Sequence, residues 1–338
     1  MTFEFTVHPA FSFVKSFGEH FKIPVFNDSL KIPASLGKGY IKKVDLDPGI
    51  RFVLHHYTLK QDFHLKRNAP QEDYDLISIV FNSNEIPTSV TPDRQSAIQF
   101  LKNNGSSIQI ASSALSTETH FPANSEVYFG VIGIKRKDLA GLLRIDKTSG
   151  PLATILYGDS TFFYHEKMHH EVQRILKQVA GINDQHKLNL LYHGIKIHEL
   201  IYFLFDKLLD RGVEKQSPIN KSDIDKLYAI RTTILADLSL PPQLKSLAKM
   251  AGMSETKMKQ LFKQTFGDSI YNYFQNERMQ EAGFLLKHAG YSVSEAGYQL
   301  GFSNLSHFAR LFEKHYGITP KKYTTAAPPS PPSPPPTG

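Results

Sequence analysis

The sequence predicts an α+β protein: a β-rich N-terminal region, a helical segment, and an all-α region with two helix-turn-helix units. Three observations carry that prediction. Residues 1–160 hold short runs rich in Ile, Val, Phe and Tyr, separated by turn-forming stretches. From about Phe162 the apolar residues shift to helical spacing. Near the C-terminus a helix, a glycine turn and a longer helix occur twice, at 247–267 and 296–317. The expected divisions are a β-rich domain at 1–160, a helical linking region at 161–221, a helical domain at 222–326 and a proline-rich tail at 327–338.

Composition narrows the function classes. A chain of 338 residues with 41% apolar and 21% charged residues is a folded protein of ordinary balance, long enough for two domains. No apolar run approaches the ~20 residues needed to span a bilayer, so no membrane partner is expected. The opening stretch has an acid at Glu4 and no base before Lys15, a poor secretory signal, and the expected location is the cytoplasm. There is no cysteine, which removes disulfides, thiolate zinc sites, Fe–S clusters and a cysteine nucleophile together. The net charge of +7 is mild. Its distribution matters more: residues 241–326 carry 11 Lys/Arg against 6 Asp/Glu, an excess of five. A local basic excess suits a polyanionic partner.

The strand runs are "KGYIKKVDL", "GIRFVLHHYTL", "YDLISIVFN", "SSIQIASSAL" and "VYFGVIGIKR", with Asp-Pro-Gly, Asn-Ser-Asn and Asn-Asn-Gly stretches between them. In the second run Phe52, Leu54, His56 and Thr58 share one face, and Val53, His55, Tyr57 and Leu59 the other. Such spacing points to an antiparallel sandwich or barrel. Phe52, Tyr57 and Phe81 either line a pocket or fill the core, and the core is the stronger reading.

"EKMHHEVQRILKQVAG" places Met168, Val172, Ile175, Leu176 and Val179 at helical spacing. "KLNLLYHGIKIHELIYFLFDKLLDRG" follows, apolar over most of its circumference through Leu190, Leu191, Ile195, Ile197, Ile201, Leu204, Phe205 and Leu208. Such a helix is buried on several sides or shared with another chain. Helices within 166–211 are therefore candidates for a homodimer seam. "VEKQSPINKSD" reads as a linker, and Ser222 as the N-cap of the next helix. The tail "AAPPSPPSPPPTG" is polyproline II or disordered, with no function assigned.

The repeat is the most specific signal. In "LAKMAGMSETKMKQLFKQTFG" and "AGYQLGFSNLSHFARLFEKHYG", Met258 corresponds to Phe308, Leu261-Phe262 to Leu311-Phe312 and Phe266-Gly267 to Tyr316-Gly317. Met258, Leu261, Phe262, Phe308, Leu311, Phe312 and Tyr316 are expected in the core. This is the layout in which a second helix enters the major groove. The connector "SIYNYFQNERMQEAGFLLKHAG" reads as one helix, which would hold two reading helices about one DNA turn, ~34 Å, apart. Its Arg278 either binds a phosphate or pairs internally with a carboxylate or helix end, and the internal role is the stronger reading.

Residues 236–323 resemble the DNA-binding domain of the AraC/XylS family of bacterial transcription regulators. "LAKMAGMS", "FKQTFG", "RMQEAGFLL" and "GFSNLSHFARLFEKHYGITPKKY" carry the resemblance. The chain departs from the family at Ala296-Gly297, where Ile-Ala is usual, and at Thr324, where arginine is usual. The glycine costs helix propensity by roughly 1 kcal/mol, so the second unit is expected to be less rigid. Matched to that family, the base-edge candidates are Thr256, Lys259 and Gln260 in the first unit, with Lys257 and Lys263 near phosphates. In the second they are Asn304, Ser306, His307 and Arg310, with Lys314 on the backbone. Arg suits guanine, Asn and Gln suit adenine, and Lys supplies phosphate charge. The resemblance also implies a cupin-like effector-binding barrel at 1–160, dimerising helices after it, and contact with RNA polymerase at promoters. The stretch "KIHELIYFLF" resembles regulators of the siderophore-responsive type. A small-molecule effector is implied and no cofactor.

The alternative is a cupin-type enzyme or metal-binding protein joined to a DNA-binding domain. The metal-cupin pattern of His-x-His, then Glu, then a later His is absent. His55 and His56 are adjacent on a strand and point to opposite faces, and His64, His120 and His169-His170 complete no motif. A repair methyl-acceptor would need a reactive cysteine. The expectation is a non-enzymatic, effector-responsive regulator, most simply an activator.

Overall fold

Period-two alternation of Ile, Val and Phe builds a sheet that is apolar on both faces, so both faces need cover. The structure, a computed structural model, describes residues 1–325 apart from 9, 47–48, 73, 84–105, 146–148, 160, 212–216 and 288. The proline-rich tail at 327–338, linker residues 213–216 and the Asn-Asn-Gly separator at 103–105 lie outside the described residues. The chain divides into two units, 1–230 with 256–267, and 231–255 with 268 onward. It is a mixed α+β protein, sheet-rich at the N-terminus and helical at the C-terminus.

In the first unit the strands are β1 (Thr2–Thr6), β2 (Ser29–Lys31), β3 (Gly37–Leu46), β4 (Ile50–Leu59), β5 (Phe63–Asn68), β6 (Leu76–Asn82), β7 (Ser107–Ser112), β8 (Thr117–Phe121), β9 (Glu126–Lys135) and β10 (Phe163–Lys167). Seven form a sheet in the order β10-β7-β6-β9-β4-β3-β2, and three form a second sheet, β1-β5-β8. All pairs in the larger sheet are antiparallel, whereas β1 runs parallel to β5. The five strand runs read from the sequence are β3, β4, β6, β7 and β9. Residues 1–160 also hold three helices the sequence reading did not anticipate: α1 (Phe13–Phe21), α2 (Arg136–Leu143) and α3 (Gly150–Tyr157). β10 lies inside the stretch expected to be helical.

Helices α4 (His170–Ala180) and α5 (Asn189–Leu209) stand where periodicity placed them. With α2 and α3 they contribute to a core built on one face of the larger sheet, where Phe52, Leu54, Ile79, Phe81, Ile110 and Ile132 are buried. Tyr57 belongs to a second core, formed with α1 and the smaller sheet. All three aromatic residues suspected of lining a pocket are thus core residues. Helix α5 answers its two expectations in halves: Ile197, Leu200, Ile201, Leu204, Phe205 and Leu208 are buried, while Leu190, Leu191, Ile195 and Tyr202 are more than half exposed. Helix α6 (Lys221–Ala236) starts two residues earlier than an N-cap at Ser222 implies, and its first turn is capped by Asn220. The Asn220 Oδ1 accepts from the Asp223 backbone N–H at 2.8 Å.

The other face of the larger sheet looks toward β1-β5-β8 across a cavity of about 170 Å³. Its walls include Phe13, Val53, Leu65, Val80, Phe129 and Phe163, with Arg67, His55 and Gln109 among them. His55 is stacked on Phe129 at 4.1 Å and meets Phe13 edge-on at 4.7 Å. Burial holds its imidazole neutral, pushing its pKa down to about 3. His56, on the opposite face, bonds Glu126 at 3.0 Å.

The second unit contains α7 (Leu244–Ala251), α9 (Ile270–Lys287), α10 (Val293–Gln299), α11 (Leu305–Tyr316) and α12 (Pro320–Thr325). Met279, Ala282, Leu285, Ala296, Phe302, Phe308 and Phe312 form its core, with Leu311, Tyr316 and Tyr323 partly buried against it. The departure at Gly297 has a local reason. A Cβ there would lie 2.6 Å from Leu305 Cδ2 and 3.3 Å from Phe308 Cδ1, so the missing side chain is space that α11 already occupies. Gly301 turns the chain at φ +74°, with the Ser239 carbonyl oxygen where a Cβ would stand. Arg278 takes its internal role: it is 4% exposed, donates to the carbonyl of Leu300 at the end of α10, and lies 3.8 Å from the centre of the Phe302 ring. Burial lowers its pKa.

Candidate nucleic-acid interface

The remaining helix, α8 (Glu255–Phe266), belongs with the first unit. Strong helix formers (Glu, Lys, Met, Gln, Leu) fill it, and Met258, Leu261, Phe262 and Phe266 fall at i, i+3, i+4 and i+8, all buried. That seam fixes the phase of the opposite side. Thr256, Lys257, Lys259, Gln260 and Lys263 are all exposed. Thr256, Lys259, Gln260 and Lys263 fall at i, i+3, i+4 and i+7, one continuous stripe, and Lys257 flanks it.

α11 repeats the scheme fifty positions later. Phe308 and Phe312 are buried as Met258 and Phe262 are, while Asn304, Ser306, His307, Arg310 and Lys314 are exposed. Asn304 is the N-cap: its Oδ1 accepts from the His307 backbone N–H at 3.1 Å, leaving its amide N–H2 facing outward as a donor. Gly317, at φ 72°, ends the helix. All ten residues expected to meet DNA are therefore accessible, five on α8 and five on α11 with its N-cap. The preceding helix α10 is fixed by reciprocal bonds between Ser292 and Glu295 at 2.8 and 3.2 Å.

Lys257 and Gln260 are engaged within the first unit. Lys257 Nζ lies 2.7 Å from Asp223 Oδ1, and Gln260 Nε2 donates to Ser217 Oγ at 2.8 Å. The far end of α8 is held more firmly. Arg211 donates to the carbonyls of Gln264 (2.8 Å) and Thr265 (3.3 Å), two of the acceptors a helix C-terminus leaves open. Its guanidinium also donates to the His165 carbonyl at 3.2 Å and sits 2.5 Å from Glu166 Oε1, an ion pair off the hydrogen-bond axis. Lys207 approaches the other Glu166 oxygen at 2.9 Å. Gln264 exchanges two bonds with the Ser217 backbone, at 2.9 and 2.8 Å. Phe266 meets the rings of His165 at 5.4 Å and Tyr228 at 5.7 Å.

Sequence reasoning missed these anchors. Arg211, Ser217 and Asp223 lie 34 to 54 residues from their partners in α8 or β10. A helical period carries no information at that range.

Among the described residues no group of three or more His, Asp or Glu is placed to hold a metal ion. No described helix is long and apolar enough to cross a membrane.

Residues 247–326 match the helix-turn-helix domain family. A transcriptional activator of Escherichia coli, AggR, is 34% identical over 96 residues, 28% of this chain and 36% of that protein. An uncharacterised helix-turn-helix-type transcriptional regulator of Haemophilus influenzae is 30% identical over 165 residues, 46% of this chain and 51% of its own. The helix-turn-helix-type transcriptional activator RhaR of Escherichia coli is 30% identical over 151 residues, 44% of this chain and 52% of its own. The chain thus spans about a third to a half of the length of the curated relatives it matches.

Proposed function

We propose that this chain, whose residues 247–326 are an AraC-type helix-turn-helix domain, is a transcription regulator that reads two adjacent major grooves of promoter DNA through α8 and α11. The observation that carries the reading is the repeated helix: two twelve-residue helices whose buried positions correspond and whose exposed sides both offer base-reading and phosphate-binding groups. Arg310, Lys259, Gln260 and Asn304 supply the donor patterns for base edges, and Lys257, Lys263 and Lys314 the phosphate charge. Activation is the favoured sign, since AggR and RhaR are described as activators. RNA polymerase, a homodimer through the exposed half of α5 and a cytoplasmic location complete the proposal. No enzymatic activity is part of it.

The regulatory half of the proposal rests on β10. Its Phe163 forms part of the cavity wall and lies 5.9 Å from the Tyr228 ring, which in turn meets Phe266 of α8. His165 and Glu166, on the same strand, hold α8 and its Arg211 clamp. A small molecule in the cavity, here read as a cupin-like effector site, would shift α8 between a docked and a reading arrangement. It does so only by the difference in its affinity for the two.

The test is selection of bound genomic fragments by purified full-length protein, followed by footprinting at two salt concentrations. Two short protected blocks about one helical turn apart, with binding that weakens as salt rises, are expected. A single block, or no enriched sequence with or without added growth extract, sinks the paired reading.

A further inference from the structure

The cavity between the two sheets is lined by cations and by no acid. Arg67, Arg51 and Lys43 contribute to its walls, and no Asp or Glu does so among the described residues. Lys43 has its own counter-ion, Asp45, outside the cavity. Among the described residues Arg67 has none: its Nη2 donates to the Leu115 carbonyl at 2.8 Å, and its Nε is shielded from solvent without a described partner. Burial lowers the guanidinium pKa to about 10, so it stays charged at neutral pH. Two further buried polar atoms, His55 Nδ1 and Gln109 Oε1, also lack partners, in side chains 1% and 3% exposed. A shielded charge with open hydrogen-bonding capacity is unfavourable until an anion meets it.

The remaining wall decides the rest of the ligand. It is mostly apolar, through Val53, Leu65, Val80, Phe121, Phe129 and Phe163, with Ser12, Ser78, Asn82, Thr117 and Thr119 as its short polar members, so an apolar body suits it better than a sugar or a free phosphate. The volume, about 170 Å³, is close to that of an engineered protein cavity of ~150 Å³ that admits benzene. We infer that the cavity binds a compact organic carboxylate with a single-ring-sized apolar body, its carboxylate paired with Arg67. This rests on the effector reading proposed above and names its ligand class. Charge-assisted pairing with a planar guanidinium fixes the head, and the Phe129 side of the cavity receives the body. The carboxylate has acceptors only, so it meets the Arg67 Nε–H directly. The neutral His55 supplies a donor or an acceptor according to its tautomer.

The test uses the full chain and fluorine NMR with two probes of nearly equal shape, para-fluorobenzoate and its neutral counterpart para-fluorobenzamide. The acid is expected to bind saturably, to be displaced by unlabelled benzoate, and to bind about tenfold or more tightly than the amide. Arg67→Gln should remove the preference for the acid and leave amide binding in place. Ala111→Leu, which fills the cavity from the β7 wall, should abolish both and should melt like the parent protein. Equal binding of acid and amide, binding of neither, or acid binding untouched by Ala111→Leu overturns the inference. The effector reading is scored separately, by promoter activity in cells carrying Ala111→Leu. Normal regulation by that variant defeats the effector reading. Lost regulation in a variant that never bound benzoate keeps the cavity as the effector site and rejects only the ligand class.

Discussion

In the proposed reading, Arg310 is the side chain on which base recognition by α11 turns. It is exposed one turn beyond Ser306 and His307, on a helix whose cap and core leave little freedom. Arg310→Ala is expected to cost about 1–3 kcal/mol in DNA binding and to relax preference at one position. Lys263→Ala should weaken all sequences alike and lower the salt slope by about one. Competition titrations against a randomised site distinguish the two, and an Arg310 variant with unchanged affinity and unchanged preferred sequence would show that this face does not read bases. His55 gives a prediction of another kind. Its folded pKa of about 3 lies below the ordinary value of 6.5, so between those values only the unfolded chain takes up its proton. Stability therefore falls as pH drops through 6.5 toward 3, by about 2 kcal/mol between pH 7 and pH 5 from this group alone. Urea unfolding at the two pH values should show that loss in the parent and a loss smaller by about that amount in His55→Gln.

At the scale of elements, α8 is the helix whose attachment matters most. Glu166→Gln removes the charge that Arg211 and Lys207 share, and uncompensated partners of a buried pair cost about 3–5 kcal/mol. Amide exchange across 256–267 should rise in that variant while exchange in α9 and α11 stays as it was; unchanged protection at 256–267 would mean the clamp holds nothing. Gly297 makes the opposite case, a position where a usually stabilising change should fail. Alanine gains about 1 kcal/mol of helix propensity over glycine, but overpacking a filled contact costs about 1–3 kcal/mol. Gly297→Ala is expected to lose about 1 kcal/mol in equilibrium unfolding, and a gain would show that Leu305 moves aside freely. The same elements show what could be read in advance. β4 and β9 announced themselves by alternation, whereas β5, "FHLKRN", and β8, "TETHF", are short and polar along most of their length. α1, "FVKSFGEHF", carries a helical spacing of Phe13, Phe17 and Phe21 too brief to stand out in a strand-rich stretch. The exposed faces of α8 and α11 were legible because Met258, Phe262, Phe308 and Phe312 set their phase. The Arg67 cavity was not, because its walls come from strands far apart in the chain and paired only in the folded sheets.

At the scale of the whole molecule, most of the positive charge excess falls within residues 241–326, so binding to any DNA should depend steeply on salt whichever sequence is read. The division of the chain gives the two reading helices different allegiances: α11 is built into the body of the C-terminal helices, while α8 is bolted to β10 and to the segment around Arg211 and Ser217. The consequence is one of timing. On the reading proposed above, a docked α8 would leave the protein a single foothold on DNA and a short visit, sampling many sites in succession. A released α8 would close the second foothold behind the first and make the visit long enough for transcription to begin.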